Sequence, residues 1–348
     1  MAVYWFLFAY FAIGAIIAGS FPNEADRRQT VLFAAGALIM TVLIGLRYQV
    51  GGDWLTYQFI YERAGPLNFF DALSIGDPGY QAVNWLAYQS GGQVWLVNLV
   101  CAVIFVWGLT RFCRAQPAPW LAVLVAIPYM VIVIGMGYTR QAVALAILMA
   151  GIASFIQKPS PLRFGAYVVA AALFHKTAIV AFPLVALATE RNRLINFLIV
   201  MAGVYFLFDM FLGNAMDQFV HNYVQTGYSS QGAGIRIAMS LLAAALLWTL
   251  RGRLKFSPLE WRIWRNFSFA VLASLVFLIL TPSSTAVDRL SLYTIPLQVA
   301  VLGRVQLIFR SKMLGVMLVA IYCFAVELVW LNFAQFSNKW VPYHFFPI

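Results

Sequence analysis

Charge is scarce in this chain. Only 10% of its 348 residues are Asp, Glu, Lys or Arg, whereas 63% are hydrophobic. That balance excludes a soluble globular protein, whose charged residues run to about 25%. Cysteine is nearly missing too. Cys101, Cys113 and Cys323 are odd in number and fall mostly inside apolar runs, which excludes a disulfide framework or a cysteine metal cluster. There is no Gly-rich P-loop, no HExxH and no Asp-x-Asp pair, so neither ATP chemistry nor a bound metal has support, and no cofactor is expected. No Lys or Arg precedes the first apolar stretch. A cleavable signal peptide would carry a charged leader there, so residues 2–19 are read as a span. Alternation of polar and apolar residues is absent, which removes a membrane β-barrel.

What remains is a succession of apolar runs about as long as the roughly 20 residues needed to cross a bilayer core. The reading is an all-α, polytopic integral membrane bundle forming a single transmembrane domain over 1–348. Full spans are expected near 2–19, 31–46, 93–109, 119–136, 141–157, 194–213, 235–250, 264–280, 290–308 and 313–333. The formal charge of +11 would suggest nucleic acid in a soluble protein. Here the basic residues mark topology, and no nucleic-acid partner is expected. Arg27/Arg28, Arg111/Arg114, Lys158/Arg163, Arg191/Arg193, Arg251 to Arg265 and Arg304/Arg310/Lys312 fall on one side, provided that 164–189 enters and leaves by the same face. The positive-inside rule makes that side cytoplasmic and puts both termini outside.

Residues 164–189 read FGAYVVAAALFHKTAIVAFPLVALAT. The run is too long for one straight span and too short for two. Two half-helices of about 11 residues would reach roughly 17 Å deep, turning at His175-Lys176-Thr177. Irregular backbone at that depth must be buried in protein or line a wet cavity. The competing reading is a long tilted span with a core histidine.

Arg47, Arg140, Lys176, Arg236 and Arg289 lie on the opposite side from the basic clusters or at membrane depth, against the topology rule. Converging cations suggest an anionic ligand, because arginine grips phosphate in a bidentate fork and stays charged when desolvated. A lipid-linked pyrophosphate fits, its tail in the bilayer and its phosphates at the interface. The outer loops 47–92 and 214–234 would cover the site. Pro78 after Asp77 marks the start of a short interfacial helix over 78–90. The Asn-, Gln-, Gly- and Ser-rich stretch 214–234 reads as a flexible loop. The aromatics of these loops serve either as an interfacial belt or as sugar contacts.

Five segments carry a resemblance. Arg47-Tyr48-Gln49-Val50-Gly51-Gly52-Asp53-Trp54-Leu55-Thr56-Tyr57 resembles the RY-x-VG-x-D-x-x-x-Y opening of the EpsG family of Wzy-type bacterial polysaccharide polymerases. Thr139-Arg140-Gln141-Ala142-Val143-Ala144, Phe174-His175-Lys176-Thr177-Ala178, Asp288-Arg289-Leu290-Ser291-Leu292-Tyr293 and Asn332…Trp340-Val341-Pro342-Tyr343 follow in order. Gly52 departs from the Thr often found there. The resemblance spans nearly the whole chain. It implies a GT-C-like, metal-independent glycosyl transfer in the bacterial inner membrane, facing the periplasm. A glycan on undecaprenyl diphosphate would pass to a sugar hydroxyl of a second lipid-linked oligosaccharide. A chain-length regulator and a flippase are then candidate partners beside the membrane lipids. A flippase of lipid-linked oligosaccharide and an O-antigen-ligase-like transferase are the rival readings.

His175 is the first candidate for general base, since a neutral imidazole can take a hydroxyl proton at neutral pH. Asp53 is the second, unless it forms a loop-shaping salt bridge with Arg47. Arg140, Arg289, Arg236, Arg47 and Lys176 are expected to bind substrate phosphates. Asp288 is expected to orient Arg289 or pair with it. Trp54, Tyr57, Tyr80 and Tyr293 are expected sugar contacts.

Overall fold

The computed structural model describes residues 1–20, 27–189, 193–212, 232–280 and 284–346. The chain is almost wholly helical: α1 Ala2–Ser20, α2 Arg27–Gly45, α3 Trp54–Ala64, α4 Phe69–Ser74, α5 Pro78–Gln89, α6 Val94–Arg114, α7 Pro119–Ala126, α8 Thr139–Gln157, α9 Pro161–Ala172, α10 Ala181–Ala186, α11 Arg193–Leu212, α12 Ala233–Thr249, α13 Pro258–Leu280, α14 Ser284–Ser291, α15 Ile295–Leu302 and α16 Lys312–Phe333. Among the described residues, sheet is confined to Arg47–Tyr48 (β1) paired antiparallel with His344–Phe345 (β2). In a bilayer only helices and closed barrels satisfy their own backbone groups, so this architecture is what the composition demands.

Among the described residues, seven helices are long and apolar enough to cross a membrane: Ala2–Gly19, Arg28–Gly45, Val94–Arg114, Thr139–Gln157, Pro258–Leu280, Ser284–Leu307 and Lys312–Phe333. The expected span 119–136 takes a different form. Pro119–Gly135 is shorter and changes midway into a π-helix over Ile127–Gly135. Pro128 lacks the N–H that an α-helical ladder would need there. The expected spans 194–213 and 235–250 are helices, α11 over Arg193–Leu212 with 20 residues and α12 over Ala233–Thr249 with 17. The segment around Arg289 is broken as well, with α14 passing through a 3-10 turn at Leu292–Thr294 into α15. The outer segment 47–92 holds α3 and α4 in addition to the expected helix α5. The loop expected at 214–234 lies outside the described residues as far as position 231.

The run at 164–189 is a hairpin. The rings of Phe164 and Phe182 stack 6.4 Å apart, whereas one straight helix would separate them by about 27 Å. The helix stops at Ala172, His175 is extended, and a 3-10 turn over Lys176–Val180 leads into α10. The returning arm ends beside the basic clusters, where the Arg262 Nε–H donates to the Ala188 carbonyl at 2.6 Å. Asn266 donates to Leu184 at 3.0 Å one turn deeper. The segment therefore enters and leaves by one end, and its polar tip points to the other.

Both chain termini sit at that other end. The Tyr4 hydroxyl donates to the Trp340 carbonyl at 2.6 Å, and β2 pairs with β1 just after α2. The basic end is pinned by Arg304. Read from sequence as a topology marker, it is instead 3% exposed. It pairs with Glu260 at 2.5 Å, bonds Gln116, and lies 4.3 Å from the Phe256 ring centre.

Candidate active site

The opening of α8 ties the site together. Thr139, Arg140 and Gln141 each hold a different element. The Thr139 hydroxyl accepts from Arg47 at 2.7 Å. Arg140 Nη1 donates to Asp77 Oδ2 at 2.8 Å. Gln141 Nε2 donates to the Arg289 carbonyl at 2.6 Å. Three consecutive helix residues point about 100° apart, so their side chains reach three different neighbours.

The hairpin tip docks on α5 through backbone groups that each helix end leaves unpartnered. Breaking α9 frees the Leu173 carbonyl, and the Gly79 N–H, unpartnered at the start of α5, donates to it at 2.8 Å. This bond brings His175 Nδ1 to 3.8 Å from Asp77 Oδ2, the oxygen that already holds Arg140. Thr177 meets the Tyr293 hydroxyl at 3.1 Å, fixing the tip against the 284–307 segment. His175 Nε2 is buried and has no hydrogen-bond partner among the described residues. Asn98, Arg140, Trp264, Arg265, Arg304 and Trp330 also hold unpartnered buried nitrogens; the His175 nitrogen differs in belonging to a group that can take up a proton, beside Asp77 and within reach of Arg140 and Arg289.

Asp77 is the residue that sequence reasoning undervalued. It occupies the N-cap position of α5, as expected, but its side chain makes no cap bond. Burial pushes its carboxyl up, yet the His175 imidazole and the charges of Arg140 and Lys176 outweigh that and hold it below the ordinary carboxylate range. Asp53 differs. Its carboxylate makes no hydrogen bond or ion pair among the described residues, and burial raises its pKa although the charges of Arg289 and Arg140 pull the other way. The only signal for Asp77 was its place in the acidic complement of a segment facing surplus arginines.

The remaining candidates divide. Arg236 is buried and pairs with Asp288 at 2.7 Å, with its guanidinium 5.9 Å from the Tyr129 ring centre. Asp288 therefore partners Arg236, and Arg289 has no carboxylate within ion-pair distance among the described residues. The reason is helical geometry: adjacent residues on α14 point about 100° apart and face different neighbours. The Arg289 guanidinium lies 6.0 Å from the Tyr138 ring centre. It is within electrostatic reach of both Asp53 and His175. Lys176 is likewise without an ion-pair partner.

Arg47 is brought near but not in. It is 1% exposed and its guanidinium is committed to the carbonyls of Ile44 (2.5 Å) and Val50 (3.3 Å), to Asn98 (3.2 Å) and to Thr139. It does not pair with Asp53 and has no surface to offer a phosphate. The aromatic expectations also change. Tyr57 packs on Tyr80 with centroids 5.7 Å apart, and Trp54 meets Tyr48 edge-on at 5.7 Å. Tyr57, Tyr80 and Tyr293 are fully enclosed and Trp54 nearly so, so they form the walls beneath the site rather than faces open to a sugar. The half-buried Tyr138, absent from the expected set, carries the ring nearest the unpaired arginine. The site as built holds Arg140, Lys176, Arg236 and Arg289 against Asp53, Asp77 and Asp288, with His175 among them. Among the described residues no group of three or more His, Cys, Asp or Glu side chains comes together as metal ligands would.

A helical membrane protein with a cluster of cations and carboxylates at one end, to which a hairpin brings a histidine, is the class that fold and site define. Residues 30–345 match the model of the EpsG family, and the chain belongs to that family. The family is Wzy-type and polymerase-like, which makes this a polysaccharide polymerase-like membrane protein at the general level. Neither a curated protein nor a solved structure matches the chain.

Proposed function

We propose that this protein polymerises a bacterial polysaccharide from units carried on undecaprenyl diphosphate, at the periplasmic face of the inner membrane. Ten spans and one re-entrant half-helix pair, in a GT-C-like arrangement, would hold the site at that face. The reading is carried by one juxtaposition: the orphaned His175 Nε2 and Arg289, which has no ion-pair partner among the described residues, lie within electrostatic reach of each other.

In the reaction, a sugar hydroxyl of the incoming unit attacks the anomeric carbon at the reducing end of the growing glycan. The new C–O bond forms as the bond to the diphosphate oxygen breaks. His175 Nε2 takes the hydroxyl proton, and Asp77 facing Nδ1 holds the ring in the tautomer that leaves Nε2 free. Undecaprenyl diphosphate departs as the anion. Arg289 and Lys176, the cations without carboxylate partners among the described residues, stabilise the charge that develops on it. Arg140, oriented by Asp77, and Arg236, oriented by Asp288, complete the positive wall. Asp53 is placed to accept a sugar hydroxyl. The diphosphate is already a good leaving group, so the mechanism calls on no metal.

The test is the purified protein with its lipid-diphosphate repeat unit, chelator and no nucleotide. A product ladder that disappears in His175→Ala supports the reading. A ladder that survives in the Arg140→Ala, His175→Ala, Arg289→Ala triple variant overturns it. Absence of a ladder with retained binding of the unit shifts the assignment to the flippase or to the ligase, which a transbilayer movement assay and an added acceptor lipid separate.

A further inference from the structure

The tyrosines around the site differ in what their hydroxyls can reach. Tyr57, Tyr80, Tyr129 and Tyr293 are buried, between 1% and 6% exposed, whereas Tyr138 is partly open. The Tyr293 hydroxyl is taken by Thr177 at 3.1 Å. Those of Tyr80 and Tyr129 have no hydrogen-bond partner among the described residues, but both oxygens are sealed from any ligand. The Tyr138 hydroxyl makes no hydrogen bond among the described residues either, and its oxygen is not sealed. Its ring is placed without help from that hydroxyl. The Tyr138 N–H donates to the Ile134 carbonyl at 2.9 Å, and its carbonyl accepts from the Ala142 N–H at 2.8 Å. The backbone just before it is wedged. A Cβ on Gly51 would meet the Met136 carbonyl at 2.3 Å, and one on Gly137 would meet the Trp340 ring at 2.4 Å.

Four charges act on this hydroxyl: Arg236, Asp288, Asp53 and Arg289. Arg236 and Asp288 answer each other at 2.7 Å. Asp53 and Arg289 do not pair, although each is within electrostatic reach of the other. The Arg289 guanidinium lies 6.0 Å from the Tyr138 ring centre. A carboxylate accepts hydrogen bonds from sugar hydroxyls and repels phosphate, and a guanidinium does the reverse. One ligand satisfies both when its sugar lies at Asp53 and its phosphate at Arg289. A phenol is protonated at neutral pH and can donate. Within reach of both groups, it meets such a ligand where sugar and phosphate join.

We propose, on the basis of the transfer reaction above, that Tyr138 touches the glycosyl diphosphate at that junction, its hydroxyl donating to the oxygen between the anomeric carbon and the first phosphorus. When the bond from the anomeric carbon to this oxygen breaks, the electron pair stays on the oxygen. The proton stays on Tyr138, and the hydrogen bond strengthens as negative charge develops. A donor already in place costs no reorganisation at that moment.

Tyr138→Phe keeps the ring and removes only the hydroxyl. The purified full chain in detergent is given the lipid-diphosphate repeat unit, and kcat, KM and the unfolding midpoint are measured for wild type and variant. The variant's kcat is expected to fall about 10²-fold, the lower end for one donor to a developing charge. KM and the midpoint should hold, because the hydroxyl acts on the breaking bond and has no protein partner to lose. Tyr322→Phe removes another unpartnered hydroxyl, fully buried on α16, and should leave kcat unchanged. A midpoint that falls together with kcat makes Tyr138 structural and overturns the proposal. A raised KM with unchanged kcat puts the hydroxyl away from the breaking bond and overturns it too. A wild-type ladder that His175→Ala abolishes and Tyr138→Phe leaves intact overturns this proposal alone. No wild-type ladder overturns the transfer reading and this role with it. Should Tyr138→Phe fail to fold, 3-fluorotyrosine at position 138 decides, since it keeps the shape and strengthens the donor. A raised kcat at an unchanged midpoint supports the contact, and an unchanged kcat overturns it.

Discussion

Arg289 and Arg304 stand near opposite ends of one segment, 284–307, and have opposite surroundings. Arg304 is closed in by Glu260, Gln116, the Ala300 carbonyl and the Phe256 ring. Arg289 has the Tyr138 ring beside it and Asp53 and His175 within electrostatic reach. The residue type is the same, so the difference lies in what is left unsatisfied. A buried cation whose partners all come from protein holds helices together. One without a carboxylate partner leaves its charge for a ligand, and the neighbouring orphan at His175 Nε2 points the same way.

The comparison breaks most sharply at Arg304. Arg304→Ala strands Glu260 in a buried position and should destabilise the fold by about 3–5 kcal/mol, seen as a collapse of the unfolding midpoint in detergent. Arg289→Ala should leave that midpoint nearly unchanged. If both variants lose stability alike, the division between structural and ligand-facing arginines is wrong.

Transfer activity should show the mirror image. His175→Ala is expected to slow chain growth by about 10²–10⁴-fold, the range for a general base. Arg289→Ala should slow it about 10²–10³-fold, comparable with removing one preorganised donor to a developing anion. Folding, read by the same thermal scan, should be intact in both. Turnover within a few-fold of wild type in either variant removes that residue from the mechanism.

Asp77 sharpens the comparison, since it both pairs and positions. Its carboxyl is held below the ordinary carboxylate range. The stability it contributes is therefore complete above the unfolded value of about 3.9 and is lost as pH falls through its lower folded value. The stability gap between wild type and Asp77→Asn should close on acidification and stay constant across neutral pH. The variant's turnover at neutral pH should fall more than its substrate affinity, because in the proposed reaction Asp77 acts through His175, 3.8 Å away, and not on the substrate.

The smallest effect separates two neighbouring glycines. Gly51 has φ +107°, and a Cβ there would meet the Met136 carbonyl at 2.3 Å. Gly52 has open space to 3.8 Å. Gly52→Thr, the residue often found in the family at this place, should be close to neutral in midpoint and turnover. Gly51→Thr should lower both. Equal tolerance would mean that the 47–53 turn does not position Asp53.

Some of this site was visible in one dimension. His175, Arg140, Arg236 and Arg289 stood out because apolar surroundings make each charge conspicuous, and the structure brings all four to one end. Arg47 stood out equally and proved to be a pin between α2, α6 and α8. Asp77 did not stand out, because an Asp before Pro reads as a helix cap. The aromatics misled for a related reason: Tyr57, Tyr80 and Tyr293 look interfacial by position, but α3, α5 and the hairpin close over them.

The sequence by itself determined the class of this protein, the side of the bundle on which each cation falls, and the break at His175. Those follow from the solvent: a bilayer tests every residue of a span in turn, so apolar length and charge position are written locally. Only the tertiary structure decided the pairings. Arg140 with Asp77, Arg236 with Asp288 and Arg304 with Glu260 join residues distant in sequence, and each competes with neighbouring charges of the same kind. Which carboxylate closes on which arginine depends on angles and depths to within a few ångströms, since ion-pair energy falls with distance and burial decides its weight. Those quantities exist only once the helices have packed, and they are what leave Arg289 and His175 open.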